Sequence, residues 1–133
     1  MERILLAYDG GDAARPALER TIELARQFSA RVGVISVASS HPGILSLDPW
    51  DDRAVHAEAL LEARRLLREA GIEAELLEPG GDPARTIERM AEERGYDTIV
   101  IGHRDLGTLS RILQGSVSAH VAAHANATVI IAR

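Results

Sequence analysis

The sequence predicts an α/β protein: a doubly wound, Rossmann-like sheet of five parallel strands with four helices on its two faces. Two observations predict it. Five short apolar, largely β-branched runs alternate with four stretches in which apolar residues recur three and four apart. The joints between them carry turn and cap chemistry: Asp9-Gly10-Gly11-Asp12, Gly71, Gly80-Gly81-Asp82-Pro83 and Gly95. Regular alternation of strand and helix implies right-handed crossovers, and therefore parallel strands covered on both sides. A chain of 133 residues fits one domain, 1–133, and can bury a real core.

Arg3 to Tyr8 reads as the first strand, which places Asp9 at a strand's carboxyl end and lets Asp12 cap the next element. From Ala13 to Phe28, Ala14, Ala17, Leu18, Thr21, Ile22, Ala25 and Phe28 form one helical face, with Pro16 tolerated near the start. Arg31 to Ala38 is a second strand, buried through Val32, Val34, Ile35 and Val37. Ser39 to Trp50, with two prolines and a glycine, is the one long irregular stretch, the kind of loop that carries function or disorder.

A second helix starts at Asp51 or Asp52, buries Val55, Ala59, Leu60, Ala63, Leu66, Leu67 and Ala70, and stops at Gly71. Ile72 to Leu77 alternates Glu73 and Glu75 with Ala74 and Leu76, so one face is wet, as at a sheet edge. Pro83 opens a third helix that runs to Gly95. Asp97 to Ile101 is the fourth strand, a helix ends near Ala125, and Ala127 to Ala132 is the fifth strand.

Composition removes several functions. There is no cysteine, which excludes disulfides, thiol redox chemistry and cysteine zinc sites. The fifteen basic residues are all arginine, scattered through a chain of net charge −5, so no patch calls for nucleic acid. Without lysine there is no Walker P-loop. Neither a membrane-length apolar run nor a signal-peptide pattern is present, and the expectation is a soluble, cytoplasmic protein.

The stretch Ile101 to Ser118 has the chemistry of an anion cradle. Strand four ends at Gly102, where backbone can approach a ligand. Gly115-Ser116 precedes the apolar run Val117, Val121, Ala122, Ala125, so Ser116 or Ser118 is expected at a helix start with free N–H groups, which favour phosphate. His103 lies within the cradle, and Arg104 and Arg111 are nearby cations. His120 and His124 are spaced as zinc ligands can be on a helix, but no Glu completes a His-Glu-x-x-His pattern and no third ligand is evident. A helix-surface or cap role is expected for them.

Gly102 to Ser118 resembles the nucleotide-binding signature of the universal stress protein family: Gly, two residues, Gly, nine residues, Gly, then Ser or Thr. Gly102, the spacer Leu106 to Gln114 and Gly115-Ser116 match; Asp105 stands where the second glycine should be. Ile4 to Gly10, Gly81 to Ala84 and Ala127 to Ala132 carry the resemblance over the rest of the chain.

The resemblance implies strand order 3-2-1-4-5 and a crevice between strands one and four, where Asp9 and Gly102 face each other. It further implies ATP or another adenine nucleotide there. Ala7 and Val37 would line the adenine slot, Ile101 would pack beneath the nucleotide, Tyr8 would be among the nucleotide-binding residues, and Asp9 would lie near ribose, phosphates or metal. Gly102, His103, Arg104, Asp105, Gly115, Ser116, Val117 and Ser118 would stand about the phosphates. Asp105 would face phosphate as a like charge, unless it and Asp9 hold a bridging Mg²⁺.

Two functions stay open: a nucleotide-responsive module of the stress response, or a member of the branch that binds no ATP and acts as a dimeric interaction module, with Asp105 marking the lost site. Hydrolysis is not expected, because no base stands beside the cradle. Relatives nonetheless show weak ATPase or autophosphorylation, for which Ser116 and Ser118 are the matching hydroxyls. The family also pairs through its last strand, which implies a homodimer through 128–132, with a charge at Ile130 as the sequence's probe of it.

Overall fold

The computed structural model describes residues 1–37, 53–102 and 109–133, with the side chains of residues 13, 53–55 and 109–116 outside that description. Strands β1 (Arg3–Ala7), β2 (Arg31–Ile35), β3 (Ala74–Leu77), β4 (Thr98–Gly102) and β5 (Thr128–Ala132) alternate with helices α1 (Arg15–Phe28), α2 (Arg53–Glu69), α3 (Pro83–Arg94) and α4 (Leu109–His124). The five strands form one sheet in the order β3-β2-β1-β4-β5. Every neighbouring pair is parallel, with Ala7 opposite both Ile35 and Ile101 and Gly102 opposite Ala132.

Strand parity sorts the core into two layers. Ile4, Leu6, Tyr8, Val32, Val34, Val100 and Ala132 point to one face, where Ala17 and Leu18 of α1 and Leu60, Ala63 and Leu67 of α2 cover them. Leu5, Ile35, Ile99 and Ile101 point to the other, under Ile87 and Ala91 of α3 and Val121 of α4. Runs apolar on both faces are what a central parallel strand requires. The wet alternation expected of the third strand is explained by its place: β3 is an edge, with Glu75 exposed and Leu77 buried.

Helix ends follow local chemistry. Asp82 caps α3 by accepting the Arg85 N–H at 3.1 Å, and Pro83 takes the first turn, where its missing N–H costs nothing. Asp12, expected as a cap, sits instead inside a single 3-10 turn, Asp12–Ala14, with no side-chain cap, because the Gly11 carbonyl accepts the Ala14 N–H at 3.0 Å. The start of α2 at Asp51 or Asp52 lies outside the described residues.

α4 departs most from expectation. It begins at Leu109, so Gly115 and Ser116 lie inside the helix and not at its start. The reason is visible in the spacing: Leu109, Ile112, Leu113, Val117 and Val121 recur three and four apart straight through Gly115, and one interior glycine costs only about 1 kcal/mol.

Asp97 ties the amino ends of three strands. Its Oδ2 accepts the N–H groups of Glu2 at 2.8 Å and Arg3 at 3.0 Å, and its Oδ1 accepts the Thr98 hydroxyl at 2.7 Å. Its own N–H donates to the Arg3 carbonyl, and its carbonyl accepts from Thr128. Burial pushes the carboxyl up, but the bonds from Glu2, Thr98 and Arg3 outweigh that and leave it below the usual carboxylate range.

A depressed folded-state value stabilises above the unfolded value and is lost as pH falls through the folded one. Asp97→Ala should therefore cost about 1 kcal/mol at neutral pH, by urea midpoint, the carboxylate being largely solvated. The gap from the parent should hold down to roughly pH 5 and close below about pH 4. A gap that widens on acidification would contradict the assignment.

Candidate functional site

The winding of the sheet reverses between β1 and β4, and the carboxyl ends of those strands open a crevice where open α/β sheets take ligands. β1 delivers Ala7, then Tyr8, whose N–H donates to the Ile35 carbonyl at 3.0 Å and so extends the pairing by one residue. Asp9 begins the turn, and its Oδ1 accepts the Gly11 N–H at 3.1 Å, an Asx turn. Gly10 holds φ +83°, a backbone that L side chains rarely adopt, and a Cβ there would sit a tight 3.2 Å from that of Ala59 on α2.

Of the residues expected about the nucleotide, Ala7, Val37, Ile101 and Val117 pack on the same layer, over the α3/α4 face. Tyr8 does not join them. Its ring is buried in the opposite layer, and its hydroxyl donates to Glu62 of α2 at 3.1 Å. Burial, then the Glu62 charge, push the phenol up to about 12, so it remains a neutral donor. Only its backbone stands at the crevice.

Asp9 and Gly102 end up at the same rim, since Ala7 pairs with Ile101 across the β1–β4 seam. Ser118 is buried, and Gly115, Ser116 and Val117 lie along α4. His103, Arg104 and Asp105 lie outside the described residues, as does the loop 39–50 with Trp50. The proposed Asp9–Asp105 pairing about a cation therefore has only its first member in the described structure.

Sequence reasoning missed a polar layer between the sheet rim and α2. The Ser36 hydroxyl, buried just beyond β2, lies 2.7 Å from His56 Nδ1, a second polar contact to α2 besides the Tyr8–Glu62 bond. The signal was available: His56 stands three and four residues before Ala59 and Leu60 on the buried stripe of α2.

A cleft of about 310 Å³ lies at the other end of the sheet, lined among others by Glu88, Glu92, Tyr96, Asp97, Asn126 and Thr128. It belongs to the amino ends of β4 and β5 and is not the β1–β4 crevice.

A parallel sheet of order 3-2-1-4-5, with an Asx turn after β1 and a glycine ending β4, defines a Rossmann-like protein with its crevice at the switch point. The model of the universal stress protein family matches residues 1–133, and the chain belongs to that family. The universal stress protein MJ0531 of Methanocaldococcus jannaschii is 30% identical over 141 residues, covering 99% of this chain and 82% of the relative.

Among solved structures, universal stress protein UspA from Lactobacillus plantarum superposes with a TM-score of 0.79 at 25% identity, over 99% of this chain and 97% of that one. The universal stress protein from Archaeoglobus fulgidus in complex with dAMP is 32% identical, with a TM-score of 0.71 over 100% of this chain and 98% of that one. Among the described residues, no helix is long and apolar enough to cross a membrane.

Proposed function

We propose that this single-domain protein binds ATP or a related adenine nucleotide in the β1–β4 crevice, and that other proteins read the bound state in a cytoplasmic stress response. The observation that carries the reading is the convergence of Ala7, Val37 and Ile101 on one layer, at the rim shared by Asp9 and Gly102. These residues supply an apolar slot beside a polar edge, which is what a nucleotide requires. The A. fulgidus relative with dAMP supports the adenine class.

In this reading the base stacks on Ala7, Val37 and Ile101. The phosphates meet Gly102, His103, Arg104 and the Gly115-Ser116-Val117-Ser118 segment, and Asp9 with Asp105 holds Mg²⁺ against them. We read the chain as a binding module and not a committed hydrolase, since without lysine it has no P-loop cation for the transferring phosphate. Acid extraction of freshly purified protein tests the reading. Released adenine nucleotide approaching one per chain supports it, and its absence together with a flat ATP titration contradicts it.

One observation favours a second reading, the interaction module without nucleotide. α4 runs unbroken through Gly115 and Ser116, and helix-interior N–H groups are engaged by carbonyls four residues back.

Either reading includes a homodimer through 128–132. β5 is an edge, and Ile131 is 39% exposed on it. Ile130 is half-buried against the α1/α2 layer, so a charge there would also damage the core. Ile131→Glu is the cleaner probe. It should convert the dimer to monomer in sedimentation velocity with the melting curve little changed, and an intact dimer would refute the placement.

A further inference from the structure

Among the described residues, Glu88, His120 and His124 each offer a ligand atom lying within 4.8 Å of the other two. The histidines occupy successive turns of α4, and Glu88 reaches them from α3. His120 Nδ1 lies 2.7 Å from Glu88 Oε1, the carboxylate side chain being only 19% exposed. The two imidazoles stack with centroids 4.2 Å apart and planes 24° from parallel.

His124 Nδ1 lies 2.9 Å from the His120 carbonyl oxygen. A carbonyl only accepts, so that nitrogen carries the hydrogen, and Nε2 keeps the lone pair a metal needs. An Nδ1–H bond to a carbonyl is the usual second-shell device that orients a ligating histidine.

We propose that Glu88, His120 and His124 form a site for a divalent transition-metal ion, zinc foremost, that fastens α3 to α4. Two imidazole nitrogens and one carboxylate oxygen suit zinc, cobalt or nickel, whereas magnesium and calcium take all-oxygen shells. Zinc bonds of 2.0–2.2 Å in tetrahedral geometry put ligand atoms about 3.3 Å apart. The Glu88–His120 contact has to open by about half an ångström around the ion, and the third ligand has to close by at most about 1.5 Å, both within side-chain torsion. Three protein ligands leave a fourth position for water.

The site lies toward the carboxyl end of α4, near the start of β5 and away from the β1–β4 rim, so it is independent of nucleotide. Its test uses the full chain without a histidine tag, stripped of metal and nucleotide, titrated with Zn²⁺ by calorimetry and with Co²⁺ by visible absorption. One ion per chain, intense tetrahedral cobalt bands and a zinc-dependent rise in melting temperature are expected.

His124→Ala, at an exposed side chain, and Glu88→Gln should each weaken binding about tenfold or more and abolish the rise in melting temperature. His124→Ala should fold as the parent does, by circular dichroism. No stoichiometric binding, or binding that survives both substitutions unchanged, overturns the proposal.

Discussion

Gly33→Ala should cost about 3 kcal/mol of stability and lower the melting temperature by about 10 °C, far more than one methyl group on a strand normally does. Gly33 lies in β2, opposite Leu5 on one side and Glu75 on the other. It is not among the glycines with positive φ, so the requirement is for space and not for backbone freedom.

A Cβ there would stand 2.1 Å from the Tyr96 hydroxyl oxygen and 2.6 Å from the ring carbon that bears it. Tyr96 cannot simply swing away. Its ring is buried, its hydroxyl donates to Glu75 at 2.7 Å, and the Arg3 guanidinium lies 5.0 Å from its centroid. Arg94 holds Glu75 from the other side. Burial, then the Glu75 bond and charge, push the phenol up to about 12, so it stays neutral and the bond persists through ordinary pH.

Tyr96 thus spans from the foot of β4 across β1 and β2 to edge strand β3, and Gly33 is the gap under the span. A double-mutant cycle isolates this. In a Tyr96→Leu background, Gly33→Ala should be nearly neutral, a coupling of about 2 kcal/mol or more. Additive costs in the two backgrounds would show that the clash is not the cause.

The second large effect belongs to nucleotide affinity. Asp105 replaces a glycine of the family signature, and its carboxylate would stand ~4–6 Å from phosphate. With an effective dielectric between 20 and that of water, that repulsion is roughly 0.7–4 kcal/mol for unit charges, from about threefold to about a thousandfold in Kd. Asp105→Gly should therefore tighten ATP binding about tenfold without Mg²⁺, and much less with it, because in the proposed site the cation would already offset the carboxylate. Unchanged affinity in both conditions would remove Asp105 from the site. Binding created from none would assign the natural chain to the interaction-module branch.

The fold was legible because short β-branched apolar runs separate cleanly along the chain from stretches with a period of about 3.6. Val32, Val34 and Ile35 against Ala17, Leu18 and Ala25 leave little ambiguity, and Glu73 with Glu75 marked an edge strand as such. The rim was legible in part, since Gly102 closes β4 and Asp9 opens the turn that follows β1.

What escaped the sequence are features that need two elements docked. Tyr8 was expected at the nucleotide, but parity alone sends its side chain with Ile4 and Leu6 to the α2 side. Gly33 is one glycine among eleven until Tyr96 is laid across it. The His120–His124 pair lacked a third ligand because Glu88 is thirty-two residues away, brought in only when α3 packs beside α4. The early start of α4 was hidden because Gly115-Ser116 reads as the start of a helix, whereas the apolar spacing runs through it from Leu109.

The most direct measurement is calorimetric titration of ATP into nucleotide-free protein, with and without Mg²⁺. A saturable one-to-one isotherm that tightens with Mg²⁺ is the result expected if the crevice holds an adenine nucleotide through Asp9 and Asp105. A flat titration in both conditions, from protein with an unchanged melting curve, would contradict it and leave the proposed dimer surface at 128–132 as the candidate working face of the molecule.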